Sequence, residues 1–437
     1  MVALSGSLPI SSSSKPTIGI RFVILALLYS NVAKVIFGSW ATIISDFVII
    51  AALLFKTNER WNKDRSISML FLFGGSFSLI IISIFEILNP NIINRVYSLI
   101  EFRKTFFQML AIYVGYSYLN DSSDVPKTID ETLKFILIAS TPLMLYGVKQ
   151  FVAFDQIDVR LYQFMDSAPD TNRYGQIIRS ISFFSGPFHY GMFCVLQLSI
   201  SLYLRYKRMN VQYYIFSIIS IAGVICSYTR TNIACAIIVC AVFILFGSKD
   251  YDSKSIPAYK ILFGVIVVGI AAILLLSQSG YVDLGNEQIN SIINSILHAT
   301  EDSRLTNRFI TWNEAYALFL EKPFLGYGMG SAGDTMAAHG IAYNWVTPHN
   351  AFIKVAVEMG MIGLILFLLV CISALNISLF VTRGKLAARG LLISICILLA
   401  CNMMFGSTLG SFPVMTLIYL ILGQACKEYE HLHSASI

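Results

Sequence analysis

HNAFIKVAVEMGMIGLILFLLVCI, residues 349–372, is the stretch that decides the class of fold. A helix needs about 20 mostly apolar residues to cross the hydrocarbon core of a bilayer, and this run is that long. Runs of the same kind recur along all 437 residues, of which 56% are hydrophobic and only 13% charged. A soluble domain carries roughly 25% charged residues. The mean hydropathy is +0.70. The expected fold is therefore an all-α polytopic membrane protein with about twelve transmembrane helices. The spans fall at roughly 18–38, 40–56, 66–88, 105–120, 133–153, 183–204, 212–228, 231–247, 261–278, 349–372, 391–409 and 412–424. The first 17 residues are polar and Ser-rich, and the apolar run after them continues into a full span, so no cleaved signal peptide is expected. All eight cysteines lie in or beside apolar runs, which argues against a disulfide framework and makes them small hydrophobes.

Orientation follows from Lys and Arg in the short loops. The net charge is +6, but its distribution matters more than its sum. The basic segments Lys56–Arg65, Arg205–Arg208, Lys249–Lys260 and Arg383–Arg389 all fall on one side of the membrane under this count. That side is expected to be the cytoplasm, with both termini there. The external loops are then about 89–104, 154–182 and 279–348. The expected organisation is one integral membrane domain: residues 1–278 form spans one to nine, 279–348 a long periplasmic loop, and 349–437 spans ten to twelve with a cytoplasmic tail. The long loop contains short helices. Ile289, Ile292, Ile293 and Ile296 recur at helical spacing over 287–298, and a second helix is expected over 303–320, with Pro323 as its stop signal. Gly326, Gly328, Gly330 and Gly333 follow. With Pro323 and no strand ahead of it, this GxGxG is a turn that folds the loop back on the membrane, not a dinucleotide fingerprint.

The external side carries arginines against the positive-inside bias. Arg304 and Arg308 are four apart, hence on one helix face, with Trp312 a turn further along it. Arg179 precedes the sixth span, Arg230 lies in the turn between the seventh and eighth, and Arg103 begins the fourth. Guanidinium forks bind phosphate bidentately, so the set points to an anionic ligand. Snorkelling to the interface or pairing with an acid is the alternative for any one of them. His349 and Asn350 stand where the long loop re-enters the membrane, at headgroup depth. A neutral imidazole there could accept a proton from a sugar hydroxyl or donate to a phosphate oxygen, whereas a capping histidine is the alternative. Gly360 and Gly363 would let a neighbouring helix approach closely. Among the intramembrane acids Asp46 and Glu358, Glu358 is the better candidate because it follows His349 on one helix, with an Arg elsewhere in the bundle as its alternative partner. The other histidines, 189, 298, 339, 431 and 433, are not spaced with Cys or carboxylates as a metal set would be.

Arg308-Phe-Ile-Thr-Trp312, Pro323-Phe-Leu-Gly-Tyr-Gly-Met-Gly330 and His349-Asn350 with Gly360 and Gly363 together resemble the O-antigen ligase and O-antigen polymerase superfamily. Weaker echoes lie at Glu101-Phe-Arg103, Tyr146-Gly147, Arg179 to Pro187 and Thr229-Arg-Thr231. The resemblance implies a GT-C-like, metal-independent glycosyltransferase of the bacterial inner membrane, with its active site facing the periplasm. It would take glycan from an undecaprenyl-diphosphate-linked donor and need no cofactor. By similarity His349 is the catalytic residue, and Arg179, Arg230, Arg304 and Arg308 hold the diphosphate. Arg103, Trp312, Asn350 and Glu358 are supporting residues.

The acceptor is either the sugar of a lipid-linked repeat, in a polymerase, or lipid A–core, in a ligase. Glu101-Phe-Arg103 and the Arg179–Pro187 segment favour the polymerase. Membrane lipid and a chain-length regulator are the other expected partners, and no nucleic acid is expected. A polysaccharide flippase is the alternative from another class, since twelve spans are common among transporters. Such folds show internal repeats and midplane substrate groups, whereas the polar residues here gather at the surface.

Overall fold

A computed structural model of the chain describes residues 15–56, 66–119, 124–165, 167, 169, 172–174, 177–208, 210–246, 303–333, 340–381, 386–406 and 408–434. The first helices are α1 (Lys15–Phe37), α2 (Thr42–Lys56), α3 (Ile67–Glu86), α4 (Arg95–Thr105) and α5 (Leu110–Ser117). There follow α6 (Val125–Val152), α7 (Gln156–Phe164), α8 (Pro187–Arg208), α9 (Gln212–Ser227) and α10 (Arg230–Phe246). The last are α11 (Ser303–Glu321), α12 (Ala351–Val381), α13 (Leu386–Phe405) and α14 (Val414–Ser434). Among the described residues the only strands are two residues long, Arg173–Tyr174 paired antiparallel with Ile177–Ile178. The regular structure of the described residues is otherwise helical, the pattern of a multi-pass helical membrane protein.

Four of these helices, over Gly19–Phe37, Ile67–Glu86, Val125–Val152 and Ala351–Leu379, are long and apolar enough to cross a bilayer. Shorter apolar helices cover Thr42–Phe55, Gln212–Ser227, Arg230–Ile244 and Gly390–Phe405. The expected span at 261–278 and the loop helix at 287–298 lie outside the described residues, as do His298 and His339. The segment expected as a span at 105–120 is not one helix. It is a 3-10 turn, Phe107–Met109, followed by the eight residues of α5, and eight residues of helix reach only about 12 Å. Gln108 in that turn is buried and accepts a hydrogen bond from Thr416 Oγ1 of α14 at 2.9 Å. A polar side chain satisfied by a neighbouring helix thus sits where continuous apolar helix was expected. α5 then lies against α14. A Cβ at Gly115 would overlap the Leu420 carbonyl, and one at Gly423 would overlap that of Ile112, so the two backbones touch where both helices lack a side chain. The loop helix expected over 303–320 is present as α11.

One apolar core runs through the bundle, from α1 and α3 to α14. At one end, Asp130 of α6 accepts from Lys207 Nζ and Tyr203 of α8, at 2.8 and 2.7 Å, and Glu430 of α14 accepts from Tyr116 and Lys427. At the opposite end, α3, α6, α9 and α13 finish and α8, α10, α12 and α14 begin. There the connecting segments bond to one another. Asn31 Nδ2 donates to Phe183 O, Ser180 N to Cys226 O, Asn232 Nδ2 to Phe188 O and Met329 N to Glu86 O. This second end carries the candidate site.

Candidate active site at one end of the bundle

His349 stands immediately before α12 with φ +48°, a left-handed backbone rare for a residue with a side chain. Four hydrogen bonds fix the residues on either side of it, Pro348 and Asn350. Trp312 Nε1 donates to Pro348 O at 2.7 Å. Asn350 caps α12, its Oδ1 accepting from Phe352 N and Ile353 N at 2.9 and 3.1 Å. Asn350 Nδ2 reaches across to Met404 O, at the end of α13, at 3.2 Å. The caps satisfy N–H groups that the first turn of any helix leaves open. The same side chain therefore starts α12 and ties it to α13.

Trp312 is placed by helical spacing. On α11 the half-buried Arg308, Thr311 and Trp312, buried Ala315, and then Leu318 and Phe319 share the inward face. Ala315 packs with Tyr327, Ala332, Val346 and Val357 in a small apolar cluster of its own. Arg308 thus lies one turn before the tryptophan that bonds to the residue preceding His349. Arg304 occupies the first turn of the same helix.

The Gly-rich turn does fold back, and its partner is α12 together with the corner after α3. Tyr327 N donates to Val357 O at 2.8 Å, Gly328 N to Glu358 O at 3.0 Å and Met361 N to Pro323 O at 2.7 Å. These bonds are open because α12 is not helical at Gly360, where φ is +62°. A Cβ there would overlap the backbone of Phe324 and Leu325. What approaches Gly360 is therefore this loop and not a neighbouring helix, while a Cβ at Gly363 would meet only Met359 of its own helix. On the other side Asn91 Nδ2 donates to Tyr327 O and Asn344 O at 3.0 and 3.1 Å, and Ser98 Oγ to Met329 O at 2.6 Å. Burial, and then the hydrogen bond Tyr327 donates to the Glu321 carboxylate, push the Tyr327 hydroxyl up to about 12.

Glu358 is fully buried. Its Oε1 accepts from Gly330 N and Ala332 N at 3.1 and 3.3 Å and from Lys354 Nζ at 3.0 Å. Its cationic partner is Lys354 on its own helix, not an arginine elsewhere. Lys354 in turn donates to Glu101 Oε1 at 2.8 Å. The sequence reading passed over this lysine, although its i,i+4 spacing from Glu358 was a usable signal.

The other two arginines occupy a second unit. The segment 179–182 is pinned at almost every backbone group. Arg179 N donates to Asn172 O and Ser180 N to Cys226 O, at 3.1 and 3.0 Å. Ile181 N and Ser182 N both donate to Gln150 Oε1, at 3.2 and 2.7 Å, and Tyr162 donates to Arg179 O. Burial raises the Tyr162 hydroxyl well above its usual range, so it remains a donor. Arg179 Nε bonds to Asn172 O at 3.1 Å. Arg230 opens α10 after Tyr228, another left-handed residue. Ser227, Thr229 and Asn232 bond to one another around that turn. A cation in the first turn opposes the helix dipole, so Arg230 does not serve the helix it begins. Gln150 and Tyr162, which hold Arg179, carry no sequence signal that singles them out.

The two units meet at the turn between α13 and α14. Asn350 bonds to Met404, a Cβ at Gly406 would overlap the Phe188 ring, and Phe188 O accepts from the Asn232 of Arg230's turn at 2.9 Å. His189 Nδ1 lies 2.6 Å from Ser411 Oγ. Arg103 stands apart from both: it ends α4 and pairs with Asp46 and Thr42 of α2. This is the acid-pairing alternative that its sequence position allowed.

Residues 215–368, from α9 into α12, match the model of a family described as O-antigen ligase. Over that segment the chain is similar to the O-antigen ligase family. The matched segment contains Arg230, Arg304, Arg308, Trp312, His349, Asn350 and Glu358, and leaves out Arg103 and Arg179. A protein of Rickettsia conorii provisionally named a polysaccharide ligase is 38% identical over 79 residues, which are 16% of this chain and 19% of that relative's length.

Proposed function

We propose that this protein is a membrane glycosyltransferase that takes a glycan from a polyprenyl-diphosphate lipid, without a metal, at the periplasmic face of the inner membrane of a bacterium. One observation carries the reading. A histidine in a left-handed backbone, fixed by Trp312 and Asn350, stands at the same end of the bundle as Arg179, Arg230 and Arg308. A non-glycine residue held at positive φ costs on the order of 1–3 kcal/mol and persists where surrounding bonds over-determine it, as they do at active sites. Departure of a lipid diphosphate develops negative charge on its phosphate oxygens. Guanidiniums near the bilayer surface stabilise that charge strongly because the surroundings are poorly polarisable. His349 takes the proton of the acceptor hydroxyl as it attacks the anomeric carbon, from the face opposite the diphosphate, so the anomeric centre inverts. The Lys and Arg of the short loops support a cytoplasmic position for the opposite side of the membrane.

The names of the matched family and of the Rickettsia relative favour the ligase reading, in which lipid A–core is the acceptor. The Glu101-Phe-Arg103 and Arg179–Pro187 segments favour the sugar end of a second lipid-linked repeat, hence a polymerase working with a chain-length regulator. Purified protein given lipid-linked glycan and each acceptor in turn tests both. His349→Ala is expected to abolish transfer to either. Laddered product without lipid A–core identifies the polymerase, and product only with lipid A–core the ligase. Intact polysaccharide assembly in cells carrying His349→Ala would overturn the glycosyltransferase reading.

A further inference from the structure

One turn into α12 from Asn350, the Lys354 ammonium is buried, with 3% of its side chain exposed. Nζ donates to Glu101 Oε1 at 2.8 Å, to Glu358 Oε1 at 3.0 Å and to Ala332 O at 3.4 Å. Glu101 comes from α4, Ala332 from the end of the Gly-rich turn and Glu358 from α12 itself. Charges inside an apolar bundle are expensive to desolvate, and no helix needs them in order to span a bilayer. Such a cluster does fix geometry, because its bonds are directional and a member left without its partner is costly. Two of the elements it joins, the Gly-rich turn and α12, are bonded to the segments on either side of His349. The Gly-rich turn continues from α11, which carries Arg308 and Trp312, and Val346 N, just before the His349 segment, donates to Ser331 O at 2.9 Å. The first turn of α12 is built on the same lysine, whose N–H donates to Asn350 O at 2.9 Å.

We propose that Lys354, bridging Glu101 and Glu358, is a positioning residue: it locks the 330–332 turn to the first turn of α12 and so holds His349 in register with the helix bearing Arg308. This rests on the glycosyl-transfer reading above. The lysine touches no reacting atom, so its loss should lower turnover and leave donor binding in place.

The test uses full-length protein in lipid nanodiscs, with lipid-linked glycan extracted from a strain lacking this protein as the donor. Lys354→Met is expected to lower kcat about tenfold or more, with KM for the donor within about threefold, since small misplacement of a reacting group costs rate rather than affinity. Native kcat in a folded Lys354→Met protein overturns the proposal. Should that variant fail to accumulate in the membrane, Glu101→Gln and Glu101→Asp decide. The aspartate, which keeps the charge, should recover more turnover than the glutamine, and native kcat in Glu101→Gln or equal loss in both variants overturns the proposal. His349→Ala is measured alongside. If it turns over normally, the glycosyl-transfer reading fails; if it is inactive beside a native Lys354→Met, only the positioning role fails.

Discussion

Replacing Asn350 separates the two tasks of one side chain. In Asn350→Ala, both the cap on Phe352 N and Ile353 N and the bond to Met404 O are lost. The cap is worth about 1 kcal/mol. Leaving the Met404 carbonyl without its donor costs about 1–3 kcal/mol more. In Asn350→Asp the cap survives, since a carboxylate accepts from both N–H groups and suits a helix N-terminus. The tie to α13 is nevertheless lost, because an oxygen now faces the Met404 oxygen. The expectation is therefore a crossed pattern. Asn350→Ala lowers the thermal midpoint, and Asn350→Asp lowers it less. Both reduce glycan transfer by roughly tenfold, as about 1.4 kcal/mol of lost placement energy implies. The assay is initial-rate transfer from lipid-linked glycan in nanodiscs, with heat-induced loss of monodisperse protein as the stability readout. Native turnover in Asn350→Asp would refute the reasoning, because it would mean that the site depends on how α12 starts and not on its bond to α13.

Arg308→Lys should raise KM for the lipid-linked donor several-fold in the same assay, because an ammonium cannot reproduce the bidentate fork on a phosphate. Arg103→Met should lower the amount of folded protein, by about 1–3 kcal/mol for a half-buried Asp46 left without its cation, and Asp46→Leu in the same chain should restore it, with transfer per folded molecule unchanged throughout. Gly360→Ala should destabilise the Pro323–Gly330 loop, which limited proteolysis would report as new cleavage there, since φ is +62° and a Cβ overlaps Phe324. Tyr327 titrates in the folded protein at about 12, above its ordinary value of 10.0. Its contribution to stability is therefore complete below pH 10 and lost as the pH rises towards 12. Alkaline unfolding of Tyr327→Phe against the native protein measures that difference.

Apolar runs of bilayer length were enough to announce a helical membrane protein, and most helix positions followed, because a helix in lipid satisfies its own backbone whatever its neighbours. The 3.6-residue period put Arg308 and Trp312 on one face of α11, and Pro323 marked that helix's end. Asn350 was legible as the residue opening α12. Other features were decided only when the chain folded. That Trp312 bonds to Pro348, that the Gly-rich turn lodges against Gly360, and that Arg103 answers Asp46 while Lys354 reaches Glu101 are contacts between residues up to hundreds apart in sequence, or choices among several available charges. The break at 105–110 belongs with them, since Gln108 is an ordinary interruption in a hydropathy scan until Thr416 of α14 arrives to bond it. Local pattern sets which faces are apolar and where a helix stops, because those depend on neighbours three or four residues away. Which polar group meets which depends on how the helices pack, and no periodicity records that.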